Sequence, residues 1–274
     1  MDHGGGQLIP GCFSPRVARG FTWLTRRMLR KSFNALRLER GSRPVLHALA
    51  AAPGPVILAL SHASWWDPLV VVALRRDFFP GRRNMSPMDA VELRRFSILR
   101  RIGIFGLDPE APESMGAFRA YVAAEWAAHP TSVLALTPQG RFADPREPVR
   151  LRPGAALVAA ATPGVQAFAL AIEYVFWADR APELLTRVRR VTPRDGSRRA
   201  WSDAFLETME ENRLGLAALA AARDPGAFET LLGREAGGTH WAYDLWLRLT
   251  GRGRRIDASR RRDLQRDDRA ERTA

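Results

Sequence analysis

The chain holds a single cysteine, Cys12, and that scarcity removes two classes of architecture. No intrachain disulfide can form, and no cysteine-based zinc cluster can be assembled. A reducing compartment is the simplest expectation, with Cys12 read as inert because it lies near the terminus without a basic neighbourhood. Lysine is equally scarce: Lys31 is the only one among 42 basic residues, set against 29 acidic ones. A bias toward arginine codons accounts for the residue type but not for the net charge of +13, which points to an anionic partner. No uninterrupted apolar stretch reaches the roughly 18 residues that a spanning helix needs. The nearest, residues 155–177, is broken by Pro163 and Gly164 and carries Gln166 and Glu173, so it is expected in a core. Residues 1–10 lack a basic stretch ahead of an apolar one, and no signal peptide is expected there. His3, His47, His129 and His240 stand at no ligand spacing from another His, Cys or carboxylate, so no metal site is expected. No Gly-x-Ser-x-Gly surrounds Ser61 or Ser64, which weighs against a serine hydrolase. No helix-turn-helix, RNA-recognition or zinc pattern accompanies the arginines, which gather at the two ends, so no nucleic-acid partner is expected.

What is present suits a globular protein. The 274 residues, 46% of them apolar, suffice for one sizeable core with appendages. Residues 16–38 read as one basic amphipathic helix, with Val17, Phe21, Leu24 and Met28 at helical spacing and Trp23, Leu29 and Phe33 widening the stripe. Such a helix lies on a membrane surface or packs on its own domain, and the pattern leaves both open. Strands are expected at 55–60, 103–107, 132–136 and 165–175. Helices are expected at 68–76, 91–101, 114–129 (capped by Ser114) and 154–162. This alternation predicts an α/β core with a mixed, largely parallel sheet flanked by helices. Beyond Trp201 the pattern turns helical, at 204–222 and 243–249, ahead of an arginine-rich tail. The resulting division is a basic membrane-associating segment at 1–42, an α/β core at 43–200, a helical extension at 201–250 and the tail at 251–274.

The chemistry-bearing segment is His62-Ala63-Ser64-Trp65-Trp66-Asp67, directly after the first apolar strand. A histidine takes a proton from an alcohol near neutral pH, and a buried carboxylate fixes its tautomer and stabilises the imidazolium. On a continuous helix the two residues would stand about 140° apart, so they meet only if the chain turns between them. Pro68 favours a helix start at that place, which makes Asp67 a candidate N-cap as well as a candidate histidine partner. Trp65 and Trp66 read either as a lining for an acyl chain or as plain packing.

Four blocks follow one another: His62-x4-Asp67, the strand Gly103-Ile104-Phe105-Gly106-Leu107, Pro138-Gln139-Gly140-Arg141, and the loosely apolar Val165-Gln166-Ala167 after a helix headed by Arg152-Pro153-Gly154. Their order resembles the PlsC-like glycerolipid acyltransferases, the lysophosphatidic acid acyltransferase family, over residues 43–191. The resemblance implies acyl transfer from acyl-CoA or acyl-carrier protein, as co-substrate rather than cofactor, to a lysophospholipid hydroxyl such as that of 1-acylglycerol 3-phosphate. His62 and Asp67 take the catalytic positions. Phe105, Gln139, Gly140, Arg141 and Gly154 take substrate-binding positions, with amides near Gly140 steadying the oxyanion. It also implies membrane lipids as partners and a peripheral place on the cytoplasmic face of the membrane. The departures are Gln139 for the family's glutamate, Arg141 at or beyond its threonine, and Asp108 or Pro109 where an arginine normally grips the acceptor phosphate. Arg141, Arg146 and Arg150 are the cations left for that task. A lipid alcohol without a phosphomonoester (a glycolipid, a hydroxylated isoprenoid, an ornithine-lipid precursor) is the alternative acceptor, and a non-catalytic lipid- or nucleic-acid-binding protein is the alternative class.

Overall fold

Val56-Ile57-Leu58-Ala59-Leu60 is apolar at every position, the pattern of a strand covered on both faces. In the computed structural model, which describes residues 8–233 apart from positions 109, 112 and 178, this segment is a fully buried strand inside an eight-stranded sheet. The strands are β1 (Ala35–Glu39), β2 (Val56–Leu60), β3 (Asn84–Asp89), β4 (Ile104–Leu107), β5 (Val133–Leu136), β6 (Gln166–Val175), β7 (Glu183–Val191) and β8 (Phe228–Gly233). Their order is β4-β3-β5-β2-β6-β7-β1-β8. Neighbours run parallel except β6 with β7 and β1 with β8. The class is α/β with a mixed, mostly parallel sheet, as the alternation of patterns predicts.

Helices cover both faces: α1 (Pro15–Ser32), α2 (Ser42–Ala51), α3 (Asp67–Phe78), α4 (Ala90–Arg95), α5 (Ser114–Ala128), α6 (Gly154–Ala160) and α7 (Arg198–Ala222). The pleat divides the core cleanly. Val56, Leu58 and Leu60 join Leu46, Leu49, Val70 and Leu74 on one face. Ile57 and Ala59 join Phe118, Trp126, Val158 and Phe205 on the other. Each large apolar side chain so covered contributes about 1.5–3 kcal/mol. Segment 155–177 is indeed core, apart from its turn and its last residues.

Several elements differ from the sequence reading. The helix expected over 16–38 ends at Ser32, Phe33 turns extended (φ −121°, ψ 148°), and residues 35–39 enter the sheet as β1. A strand buried on both faces wins there because Leu36 and Leu38 reach the core while Arg37 finds a buried partner, Glu183, with Nε 2.7 Å from Oε2. The helix expected over 91–101 breaks at Phe96 into α4 and a 3-10 turn, Ser97–Ile102. Ser114 does not cap α5; Glu113 occupies that position. After α7 the chain adds β8 beside β1, so neither the boundary at 42 nor the one at 200 falls at a break in the sheet. The helix expected at 243–249 and the tail at 251–274 lie outside the described residues.

α1 packs on α3, to which Arg26 is tied through Asp77 (2.6 Å), and it buries Ala18, Thr22, Thr25 and Leu29. The stripe of Val17, Phe21 and Met28 is only half-buried, and Leu24 and Trp23 stand 44% and 66% exposed.

Candidate active site

At the carboxyl end of β2 the chain leaves the sheet in a defined way. The Ser61 amide donates to the Leu170 carbonyl (3.0 Å), and the Ser61 hydroxyl accepts from the Ile172 amide (2.9 Å), so it replaces a backbone carbonyl in the ladder. That engagement places Ser61 in the scaffold. A turn follows, in which the Asp67 amide donates to the Ser64 carbonyl (3.1 Å), and α3 starts at Asp67 with Pro68 next. Trp66, not Asp67, occupies the cap position. The Asp67 carboxylate reaches backward instead, and Oδ2 accepts from the Ser64 amide at 2.9 Å. The same Oδ2 lies 3.0 Å from His62 Nδ1. The turn therefore brings together two residues that a continuous helix would splay apart.

Asp67 is fully buried, whereas the His62 side chain keeps 18% of its surface exposed. The carboxylate sits in the first turn of α3, where the helix amides favour negative charge. Its second oxygen, Oδ1, accepts a short hydrogen bond from the Tyr174 hydroxyl. Burial, the nearby Asp67 charge and that bond all push the Tyr174 phenol upward from its usual range, so it remains a donor. With Nδ1 engaged by Asp67, Nε2 is the nitrogen left for a substrate proton.

Residues 137–153 form the loop that faces this pair. The Ala143 amide donates to the His62 carbonyl at 2.8 Å, and the Phe142 ring lies on the imidazole with centroids 4.3 Å apart. The loop expected to serve the site thus reaches it, but through Phe142 and Ala143. Gly140 has a left-handed backbone (φ +67°), and its amide donates to the Thr137 carbonyl at 3.0 Å. That amide and the Ala143 amide are spoken for, so neither steadies an oxyanion in this conformation. Arg141 is paired with Glu147, and Arg146 with Asp144. Gln139 lines a shallow open recess alongside Ser61, Ala63, Glu173, Met209 and Arg213. Burial there raises the Glu173 carboxyl above its ordinary range, against the lowering influence of Arg146 and Arg213.

Two expected site residues lie elsewhere. Phe105 is completely buried on β4, packed on Phe118 and Tyr121, because β4 carries it into the second core face. Gly154 opens α6 near Met115 and Phe118, on that same face. Tyr174 is the residue that the sequence reading missed. Its one available signal was strand alternation, which places it on the face of Leu170 and Ile172. Trp66 packs edge-on against Phe33 (5.0 Å), Phe33 against Tyr174 (5.7 Å), and the half-exposed Trp65 stacks on Trp66 (4.3 Å).

Among the described residues no group of His, Cys, Asp or Glu is arranged to hold a metal, and no helix is long and apolar enough to cross a membrane. No protein-family model matches the chain. No curated protein matches it significantly either.

Proposed function

We propose that this chain is an acyltransferase that moves a fatty acyl group from a thioester, acyl-CoA or acyl-carrier protein, to a lipid hydroxyl. The observation that carries the proposal is the buried Asp67 carboxylate 3.0 Å from Nδ1 of a partly exposed His62, at the carboxyl end of a central strand. That is where α/β sheets keep reactive groups. The order of the four sequence blocks supplies the reaction class.

His62 Nε2 takes the acceptor's hydroxyl proton as its oxygen attacks the thioester carbonyl carbon. Asp67 holds the Nδ1–H tautomer and stabilises the imidazolium that forms. When the tetrahedral intermediate collapses, the carbon–sulfur bond breaks and the imidazolium returns its proton to the departing thiolate. The acceptor's own hydroxyl is the nucleophile, so no acyl-enzyme is needed.

A lysophospholipid such as 1-acylglycerol 3-phosphate is one acceptor consistent with the motif order. A lipid alcohol without a phosphomonoester is favoured by a specific observation: of the three cations left for a phosphate, Arg141 and Arg146 are already paired with acidic residues of their own loop, which leaves Arg150 alone. α1 carries no acidic residue and six basic ones, with Trp23 and Leu24 exposed, which fits a helix that rests on the anionic cytoplasmic face of a membrane.

The test is purified protein with acyl-CoA or acyl-carrier thioester and a panel of lysophospholipids, glycolipids, hydroxylated isoprenoids and ornithine-lipid precursors, with products read by mass spectrometry. A new ester on one acceptor class is expected. Thioester hydrolysis alone, or no thioester consumption with any acceptor, would overturn the proposal.

A further inference from the structure

A histidine–carboxylate pair has a tuning point, the carboxylate oxygen that the histidine does not use. In this chain that oxygen, Asp67 Oδ1, is met by a phenol supplied from 107 residues away in sequence. We infer that Tyr174 is a positioning residue, whose hydroxyl fixes the Asp67 carboxylate and sets how tightly Asp67 holds the proton on His62. The inference rests on the reading of His62 and Asp67 as the acid–base pair.

The geometry is specific. Asp67 receives three contacts: the Ser64 amide and His62 Nδ1 on Oδ2, and Tyr174 on Oδ1. A carboxylate held at both oxygens cannot rotate, so Oδ2 stays in line with the imidazole. The phenol donor also draws negative charge toward Oδ1 and away from the imidazole edge. Tyr174 is itself held by its strand and by the buried Phe33, which follows α1. Other groups facing the pair from the elements around it are Phe142 and the Ala143 amide of the loop and Trp66 of the turn. Of the charged side chains of the loop, Arg141 pairs with Glu147, Arg146 with Asp144 and Arg152 with Glu110, while Arg150 is exposed. Glu173, next to Tyr174, lines the recess beyond Ser61 and Ala63. Among the described contacts, Tyr174 is therefore the one side-chain donor to the unused oxygen.

Removing that donor leaves the Asp67 charge concentrated toward His62. The imidazole then binds its proton more tightly and serves as a base only at higher pH. In Tyr174→Phe, which keeps the ring and its packing, the acidic limb of the rate–pH profile moves to higher pH and kcat/KM at neutral pH falls about tenfold, less than the roughly 10²–10⁴-fold loss from removing the base itself. The His62 ring resonance, followed by NMR across the same pH range, titrates at higher pH in the variant. Fluorotyrosine at position 174, a more acidic phenol and a stronger donor, shifts both readouts the opposite way.

A thermal melt establishes that each variant is folded. A rate loss with neither readout moved would mean that Tyr174 only packs, and an unchanged rate and profile would mean that it does nothing; either result overturns the inference. The NMR titration needs no turnover. A protein that acylates none of the acceptors, yet shows the shifted ring titration, would retain the Tyr174 relationship while the acyltransferase reading falls.

Discussion

Gly140 and Arg152 are packed so closely that a methyl group on Gly140 would lie 2.5 Å from Arg152 Nε and 2.6 Å from its Cδ. The contact closes the loop against itself: the Arg152 amide also donates to the Pro138 carbonyl at 2.8 Å. Two residues further on, Phe142 covers the His62 ring. The glycine is thus required twice, once for its positive φ and once for the arginine stem lying over it.

Gly140→Ala is expected to cost about 1–2 kcal/mol from the left-handed backbone alone, with more for displacing Arg152. Urea unfolding measures the stability, and acyl transfer by the folded variant should fall as well because Phe142 moves with the loop. A variant as stable as the native chain would show that the loop relaxes freely.

Arg82 sits at the other end of the sheet and is almost fully buried. Its guanidinium donates to the carbonyls of Gly54 (3.1 Å), Thr131 (2.8 Å) and Ala50 (3.3 Å), and to that of Ala52. It ties the end of α2 to the segments entering β2 and β5. Arg82→Met removes the donor from all four carbonyls, of which the Ala52 bond is buried and the others part-buried, and is expected to destabilise by about 1–3 kcal/mol. Chemical denaturation checks this, and transfer by the protein that remains folded should be unchanged, since Arg82 lies far from the end of β2 that carries His62.

α1 offers a test of the membrane proposal. Trp23→Ser combined with Leu24→Ser removes exposed apolar surface and should weaken binding to anionic vesicles about tenfold or more. Raising the salt should weaken the native protein's binding too, because charges on the helix are screened. Vesicle sedimentation reads both effects. Equal sedimentation of native and doubly substituted protein would remove α1 from the membrane contact.

The sequence announces what is local. The unbroken apolar run of β2, the turn signalled by Pro68 and the spacing of His62 to Asp67 all lie within 13 residues, and the fold keeps each of them. Hidden features depend on distant partners. Arg37 made residues 35–38 look like more basic helix, because its burial is compensated by Glu183, 146 positions away. β7 reads poorly as a strand because Arg187 and Arg189 interrupt it; in the fold they reach Asn212 on α7 and Glu39 on β1. Tyr174 likewise carries no local mark of its bond to Asp67. Phe105, to which the block order gives a binding position, is packed by β4 into the core.

The most direct measurement is the acyl-transfer rate of His62→Ala against native protein on the best acceptor, with matched thermal melts. The expected result is a loss of roughly 10²–10⁴-fold with the fold intact. Transfer at the native rate without the imidazole would contradict the assignment of His62 as the base.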